Sequence, residues 1–244
     1  MPIEIPELGD AYHETWAALA ELARASPAPW TLIGAQMVAL HCWRRGLEPL
    51  RATRDADLLA DARAVSTAAA DLSRTLIDLD FEFRRPSSSG QGFTFSRGEV
   101  VIDVLAPDGL GRRTPLKTIG GSRTVQVPGG TQALRRTRPL AIRSRDVEAE
   151  LPVPDLLGAL LVTVRAIEVD DAPADKKQDA ALLLAAVDDP EPLVRDLAAT
   201  ERRWLRRHPY LGDPDEPLWD GIDGAVVGAS VFLRLAVVGP LDAS

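Results

Sequence analysis

The run Asp55-Ala56-Asp57-Leu58-Leu59 constrains this chain most. On an extended strand, residues i and i+2 point to the same face. The two aspartates therefore share a face, and an apolar stretch follows at once. Carboxylates paired at a strand edge can share divalent cations. Hard oxygen ligands suit Mg²⁺, which keeps several waters and takes further ligands from substrate phosphates.

The flanks of this run add to it. Trp30-Thr31-Leu32-Ile33 reads as a short buried strand and Ala35 to Arg45 as a helix, with Gly34 at the turn between them and Gly46 as a C-terminal cap. A glycine opening a helix after a strand offers backbone N–H groups to a phosphate; the alternative is a tight turn and nothing more. His41, on that helix, either orients the loop bearing Arg51 or is a structural hydrogen-bonder. Downstream, Phe93–Arg97 and Val100–Leu105 read as a hairpin, and Asp103 interrupts the apolar second strand. A lone carboxylate there is costly unless solvated, paired or bound to metal. It stands either on the solvated face of an edge strand or beside Asp55 and Asp57 as a third metal-binding carboxylate.

The rest of the chain sorts into an α/β part and a helical part. Residues 10–25 and 61–79 read as helices and 81–84 as a strand. Residues 106–146 hold Arg112, Arg113, Lys117, Arg123, Arg135, Arg136, Arg138, Arg143 and Arg145, with no acid between Asp108 and Asp146 and short strands at 124–127 and 140–142. Such a segment either guides the phosphates of a nucleotide or RNA or pairs with the acidic surface of the protein itself. From Pro154 onward the spacing predicts helices over 154–169, 175–188, 190–207 and 223–238, with an acidic break from Glu168 to Asp175. The expected architecture is α+β: an α/β domain over 1–150, a mixed sheet flanked by helices, then a helical domain over 151–244.

The 244 residues carry a net charge of −8, which asks for no nucleic-acid partner by itself. The single cysteine, Cys42, allows no intrachain disulfide and reads as a small buried residue. The N-terminal residues do not resemble a signal peptide, and no window reaches the roughly 18–20 apolar residues of a membrane span. A cytoplasmic location without membrane contact is expected. No Walker-type phosphate loop, Rossmann glycine pattern, His/Cys metal spacing or G-x-S-x-G elbow occurs.

Three carboxylates on neighbouring strands can hold two Mg²⁺ ions, one on a triphosphate and one lowering the pKa of an attacking hydroxyl. Asp103 can ligate that second ion and accept the proton. A glycine turn can hold the β- and γ-phosphates, and Lys or Arg can neutralise charge on the leaving group. That is equipment for nucleotidyl transfer from an NTP.

The stretch Leu32-Ile33-Gly34-Ala35-Gln36-Met37-Val38-Ala39-Leu40-His41, followed by Arg51-Ala52-Thr53-Arg54-Asp55-Ala56-Asp57-Leu58, resembles the signature of nucleotidyltransferases of the AbiEii/AbiGii toxin type. These belong to the DNA polymerase β-like superfamily. The close match covers about 30 residues, and Lys176-Lys177-Gln178-Asp179 more loosely resembles the family's C-terminal lysine/aspartate helix. The resemblance implies a polymerase β-like nucleotidyltransferase domain. In it Asp55, Asp57 and Asp103 are the catalytic, metal-binding carboxylates. Gly34, Ala35, Arg51, Thr53, Lys176 or Lys177, and Asp179 would line the nucleotide site. It further implies a toxin that adds nucleotides to tRNA 3′ ends and pairs with an antitoxin protein. Two positions differ: Ala35 stands where the family often has Gly or Ser, and Gly158, Ala159 and Leu160 stand where it usually carries a helix lysine. Transfer to a small molecule such as an aminoglycoside, transfer to a protein hydroxyl, and a non-catalytic version of the fold are the competing readings.

Overall fold

A computed structural model describes residues 1–84, 91–111, 114 and 116–237. Strand β1 (Ile3–Glu4) precedes helix α1 (Asp10–Ala25), which buries Trp16, Leu19 and Leu22 on one face. Pro27 and Pro29 follow its end, where helix cannot continue. Strand β2 (Trp30–Ile33) is buried throughout and turns at Gly34 into α2 (Gly34–Trp43). Strand β3 (Asp55–Ala60) carries the paired aspartates. Helix α3 (Ala68–Asp78) starts later than expected, because the Asp61 carboxylate caps the amides of Arg63 and Ala64 at 3.1 and 3.0 Å and holds a separate turn. Strands β4 (Glu82–Phe83), β5 (Thr94–Arg97) and β6 (Val100–Pro107) follow.

These strands form the larger sheet, in the order β2-β3-β6-β5-β4. Its central pair, β3 and β6, is parallel, with Asp57 in register with Asp103. Strand β2 runs antiparallel to β3, and β5 antiparallel to β6. The short β7 (Gln126–Val127) extends the sheet beside the end of β6. After α4 (Gly130–Arg135), strands β8 (Thr137–Ser144) and β9 (Val147–Pro154) form a hairpin that β1 joins in parallel to make the second sheet. The segment 147–154 is a strand that the helix-directed reading of the C-terminal half passed over. A domain boundary at 150 falls inside β9.

The helical part consists of α5 (Leu156–Ile167), α6 (Ala174–Ala185), α7 (Pro190–Asp196), α8 (Ala199–Leu205) and α9 (Ala225–Ala236). Asp155 caps α5 by accepting from the Gly158 amide at 2.9 Å, and Asp189 caps α7 ahead of Pro190. The helix expected over 190–207 is two helices, because Leu197 and Ala198 are extended and Glu201 captures the Ala198 amide at 3.0 Å. One continuous core joins both sheets to α5, α6, α8 and α9. Among the described residues no helix is long and apolar enough to cross a membrane.

Arg136, at the end of α4, reaches across to α8. Its Nη1 and Nη2 donate to Glu201 Oε1 and Oε2 at 3.0 and 2.9 Å, with Glu201 only 5% exposed. Removing one member of a buried pair strands the other charge. Glu201→Ala is expected to lose about 3 kcal/mol or more of unfolding free energy in urea melts. The double change Arg136→Met with Glu201→Leu should recover most of it.

Candidate active site

The site is built where β2 ends beside the starts of β3 and β6, against α2, α5 and α6. Gly34 has φ +73°, a conformation that side-chain-bearing residues avoid. A Cβ placed there would stand 2.1 Å from Asp57 Oδ2. The backbone of the strand-to-helix turn thus lies directly against the Asp57 carboxylate, and only glycine permits it. The N-terminal amides of α2 have no side-chain cap, which leaves them available to an anion.

Asp55, Asp57 and Asp103 share one face of the sheet by alternation and register. Their surroundings differ: Asp55 is exposed, Asp57 and Asp103 half-buried. Burial raises the Asp57 carboxyl to about pKa 6; nearby Asp103 and Asp55 add to the rise, and Lys176 and Arg51 oppose it. Burial also raises the Asp103 pKa from its ordinary value, against a hydrogen bond from Thr94. Asp103 Oδ1 is buried without a hydrogen-bond partner. Such an oxygen calls for a proton or a cation.

A cavity of about 520 Å³ opens beside Asp57. Gly34, Leu105 and Val127 form one wall and Val162, Thr163 and Ala166 of α5 the other, while Lys176, Asp179, Asp170 and Asp171 supply its charges. Asp179 is buried and accepts from Arg51 Nη2 at 2.7 Å. Burial raises its pKa despite Arg51 and Lys176. Arg51 Nη1 also lies 3.6 Å from Asp175, so this arginine ties the loop before β3 to α6.

The structure therefore brings Gly34, Asp57, Lys176 and Asp179 to one cavity, with Asp55 and Asp103 beside Asp57 and Arg51 behind Asp179. It does not bring Lys177 there. Its ammonium lies 4.7 Å from the Tyr210 ring centre, on a separate groove with Gln178 and Leu218. Nor is Ala35 in the cavity wall, and Thr53 turns its hydroxyl to the Asp55 amide at 3.3 Å. His41 is buried and bonds from Nε2 to the Pro154 carbonyl at 3.0 Å, and burial lowers its pKa to about 4. It is a neutral structural donor joining α2 to β9. Lys176, on the helix after α5, lines the cavity.

Three arginines of the basic segment pair with the protein's own acids. Arg136 pairs with Glu201. Arg143 pairs with Glu4 and Glu148 at 2.7 and 2.6 Å, and Arg145 with Glu7 and Asp10 at 2.9 and 2.8 Å. Lys117, Arg123, Arg135 and Arg138 are exposed, and Arg112 and Arg113 lie outside the described residues.

Among the described residues no three His, Cys, Asp or Glu side chains are gathered so as to hold a metal ion by themselves. Mg²⁺ does not ask for such a cage, because it binds through one or two carboxylates with substrate phosphates and water. The all-oxygen donor set and the unpartnered Asp103 Oδ1 fit it.

Two outcomes follow for Gly34 and Asp57. Gly34→Ala should cost about 2 kcal/mol or more of stability in urea melts, because it combines a left-handed φ with the 2.1 Å approach. Asp57 releases its proton near pH 6 folded and near 3.8 unfolded. A cation binding the carboxylate must then displace that proton around pH 6 but not at pH 8. Calorimetric Mg²⁺ titrations in buffers of different ionisation enthalpy should show proton release at the lower pH only, and less of it in Asp57→Asn.

No protein-family model matches the sequence, and no curated protein matches it either. Among solved structures, the chain is similar to an antigenic nucleotidyltransferase-like protein from Paracoccidioides brasiliensis, with TM-score 0.53 and 14% identity over 85% of this chain and 90% of that one. At that identity the likeness concerns the fold alone, and the fold is a mixed α+β, nucleotidyltransferase-like one.

Proposed function

We propose that the protein is a Mg²⁺-dependent nucleotidyltransferase that moves a nucleoside monophosphate from an NTP to an acceptor hydroxyl. The observation that carries this reading is the convergence of Gly34, Asp57, Lys176 and Asp179 on one cavity. The Gly34 turn and the amides of α2 receive the triphosphate. Lys176 neutralises charge that moves onto the departing pyrophosphate. The apolar walls from Val127, Val162 and Ala166 enclose the nucleoside and exclude water. Asp55 and Asp57, with Asp103, would hold Mg²⁺, which when bound neutralises the phosphates and makes the acceptor hydroxyl more acidic. Asp103 takes the hydroxyl proton in this reading, which its raised pKa and unpartnered oxygen support.

For the acceptor, the resemblance favours an RNA 3′ end, such as that of a tRNA, in a toxin held in check by an antitoxin protein. The exposed Lys117, Arg123, Arg135 and Arg138 would meet its backbone charge. A second reading has its own support: Asp170 and Asp171 line the cavity, and acids there suit a cationic small acceptor of the aminoglycoside kind better than a phosphate chain.

The test supplies each labelled NTP with Mg²⁺ and offers either total tRNA or an aminoglycoside panel. Label on RNA 3′ ends is expected, reduced about 100-fold or more in Asp57→Asn. Label on the small molecule selects the second reading, and no transfer to any acceptor with any NTP sinks both. Since the reaction needs Asp57 ionised, kcat/KM should climb as pH rises through about 6 and level off above it.

A further inference from the structure

Asp55 and Arg51 depend on a loop that has no regular secondary structure over residues 51–54. Buried side chains from two helices hold it. Gln36, in the first turn of α2 two residues beyond Gly34, is fully buried. Its Nε2 donates to the Thr53 carbonyl at 2.6 Å, and its Oε1 accepts from the Tyr12 hydroxyl of α1 at 3.2 Å. A carbonyl can only accept, so Thr53 fixes the direction of the amide, and the Tyr12 O–H must then be the donor to the remaining oxygen. Burial pushes the Tyr12 pKa up, which keeps that proton in place. Thr15, also on α1, donates to the Arg54 carbonyl at 3.1 Å, and Thr53 Oγ1 accepts from the Asp55 amide at 3.3 Å.

A fully buried amide is costly unless its hydrogen bonds are met. Here both ends are met, one by the helix that packs behind the site and one by the chain entering β3. We propose that Gln36 is a positioning residue that couples the turn at Gly34 to the strand of carboxylates. Through the Gln36–Thr53 bond the first turn of α2 sets where Asp55 begins and where Arg51 reaches toward Asp179. Tyr12 acts on that loop only by holding the Gln36 amide. The clamp stands on hydrogen bonds alone; its part in turnover rests on the nucleotidyl-transfer reading above.

The experiment uses the full chain as wild type, Gln36→Leu, Tyr12→Phe and the double variant. Hydrogen exchange of the peptide spanning 50–55 is read by mass spectrometry, alongside kcat and KM for labelled NTP. In Gln36→Leu, exchange in that peptide should speed up about 10-fold or more while α3 and α9 keep wild-type rates. Turnover should fall about 10- to 100-fold through kcat, with KM for NTP little changed, because misplacing the carboxylates costs the reaction more than it costs binding. Tyr12→Phe should act in the same direction more weakly, and should add nothing in the Gln36→Leu background. Unchanged loop exchange in Gln36→Leu, or an additive double variant, overturns the proposal. Should Gln36→Leu fail to fold, Tyr12→Phe decides: wild-type exchange in the loop overturns the clamp. A wild type that transfers nothing while the loop exchange responds removes the nucleotidyl-transfer reading and the role in turnover, and leaves the clamp standing.

Discussion

The contact between the Gly34 backbone and the Asp57 carboxylate is the constraint on which the site depends. It allows no atom at the Cβ position. Its consequence is geometric: a helix N-terminus and a metal-type carboxylate share one point in space. A phosphate held at the turn must then lie beside the carboxylate. The strand order enforces this closeness. β2 is the antiparallel neighbour of β3, and Ile33, the last residue of β2, is in register with Asp57. The chain leaves the sheet at Gly34, next to the residue it has to approach.

Charge is the second problem that the fold has to handle. Three carboxylates share one sheet face, and two of them have raised pKa values. Such crowding is tolerated only where opposite charge is near or the proton is kept. The cations come from outside the sheet: Lys176 from α6, and Arg51 from the loop before β3, which α6 fixes through Asp179. Positive charge is thus delivered to the strand face by the helical part of the chain. Without α6 the carboxylates would lose Lys176 and the anchor of Arg51, with Arg84 left near Asp103.

Local patterns made the strand side of the site legible in the sequence. The Gly34 turn, Asp55 and Asp57 fall within one short stretch, and Asp103 stood out because an apolar run rarely carries a carboxylate. The helical side was only partly readable. Lys176 and Asp179 stand three apart and share a helix face, while Lys177 is rotated about 100° away; that spacing already separates the two lysines. Gln36 left no local mark, since a glutamine in a helix usually faces solvent, and only the approach of α1 and the loop 51–54 buries it. Strand β9 did have a signal, the alternation of Val147, Ala149, Leu151 and Val153 with Glu148 and Glu150, against which only Pro152 speaks. The break at Leu197 had none, as neither glycine nor proline marks it. Arg136, Arg143 and Arg145 read as part of a phosphate track because their partners Glu201, Glu4, Glu7 and Asp10 are distant in sequence.

These points bear on how the chain is divided. The cavity has one wall from the sheet and one from α5 and α6, so neither half contains a site by itself. The joints between the halves are buried and directional: His41 to the Pro154 carbonyl, Arg51 to Asp179, and Arg136 to Glu201. Each fixes an angle as well as a distance, because each bond uses a particular ring nitrogen or guanidinium edge. A hinge between two independent domains would need the opposite, a wet and sparsely bonded boundary. The boundary at 150 dissolves into the β8–β9 hairpin for the same reason, since β9 is both the last strand of the second sheet and the lead into α5. The carboxylate face and the helices that bring charge to it share one continuous core.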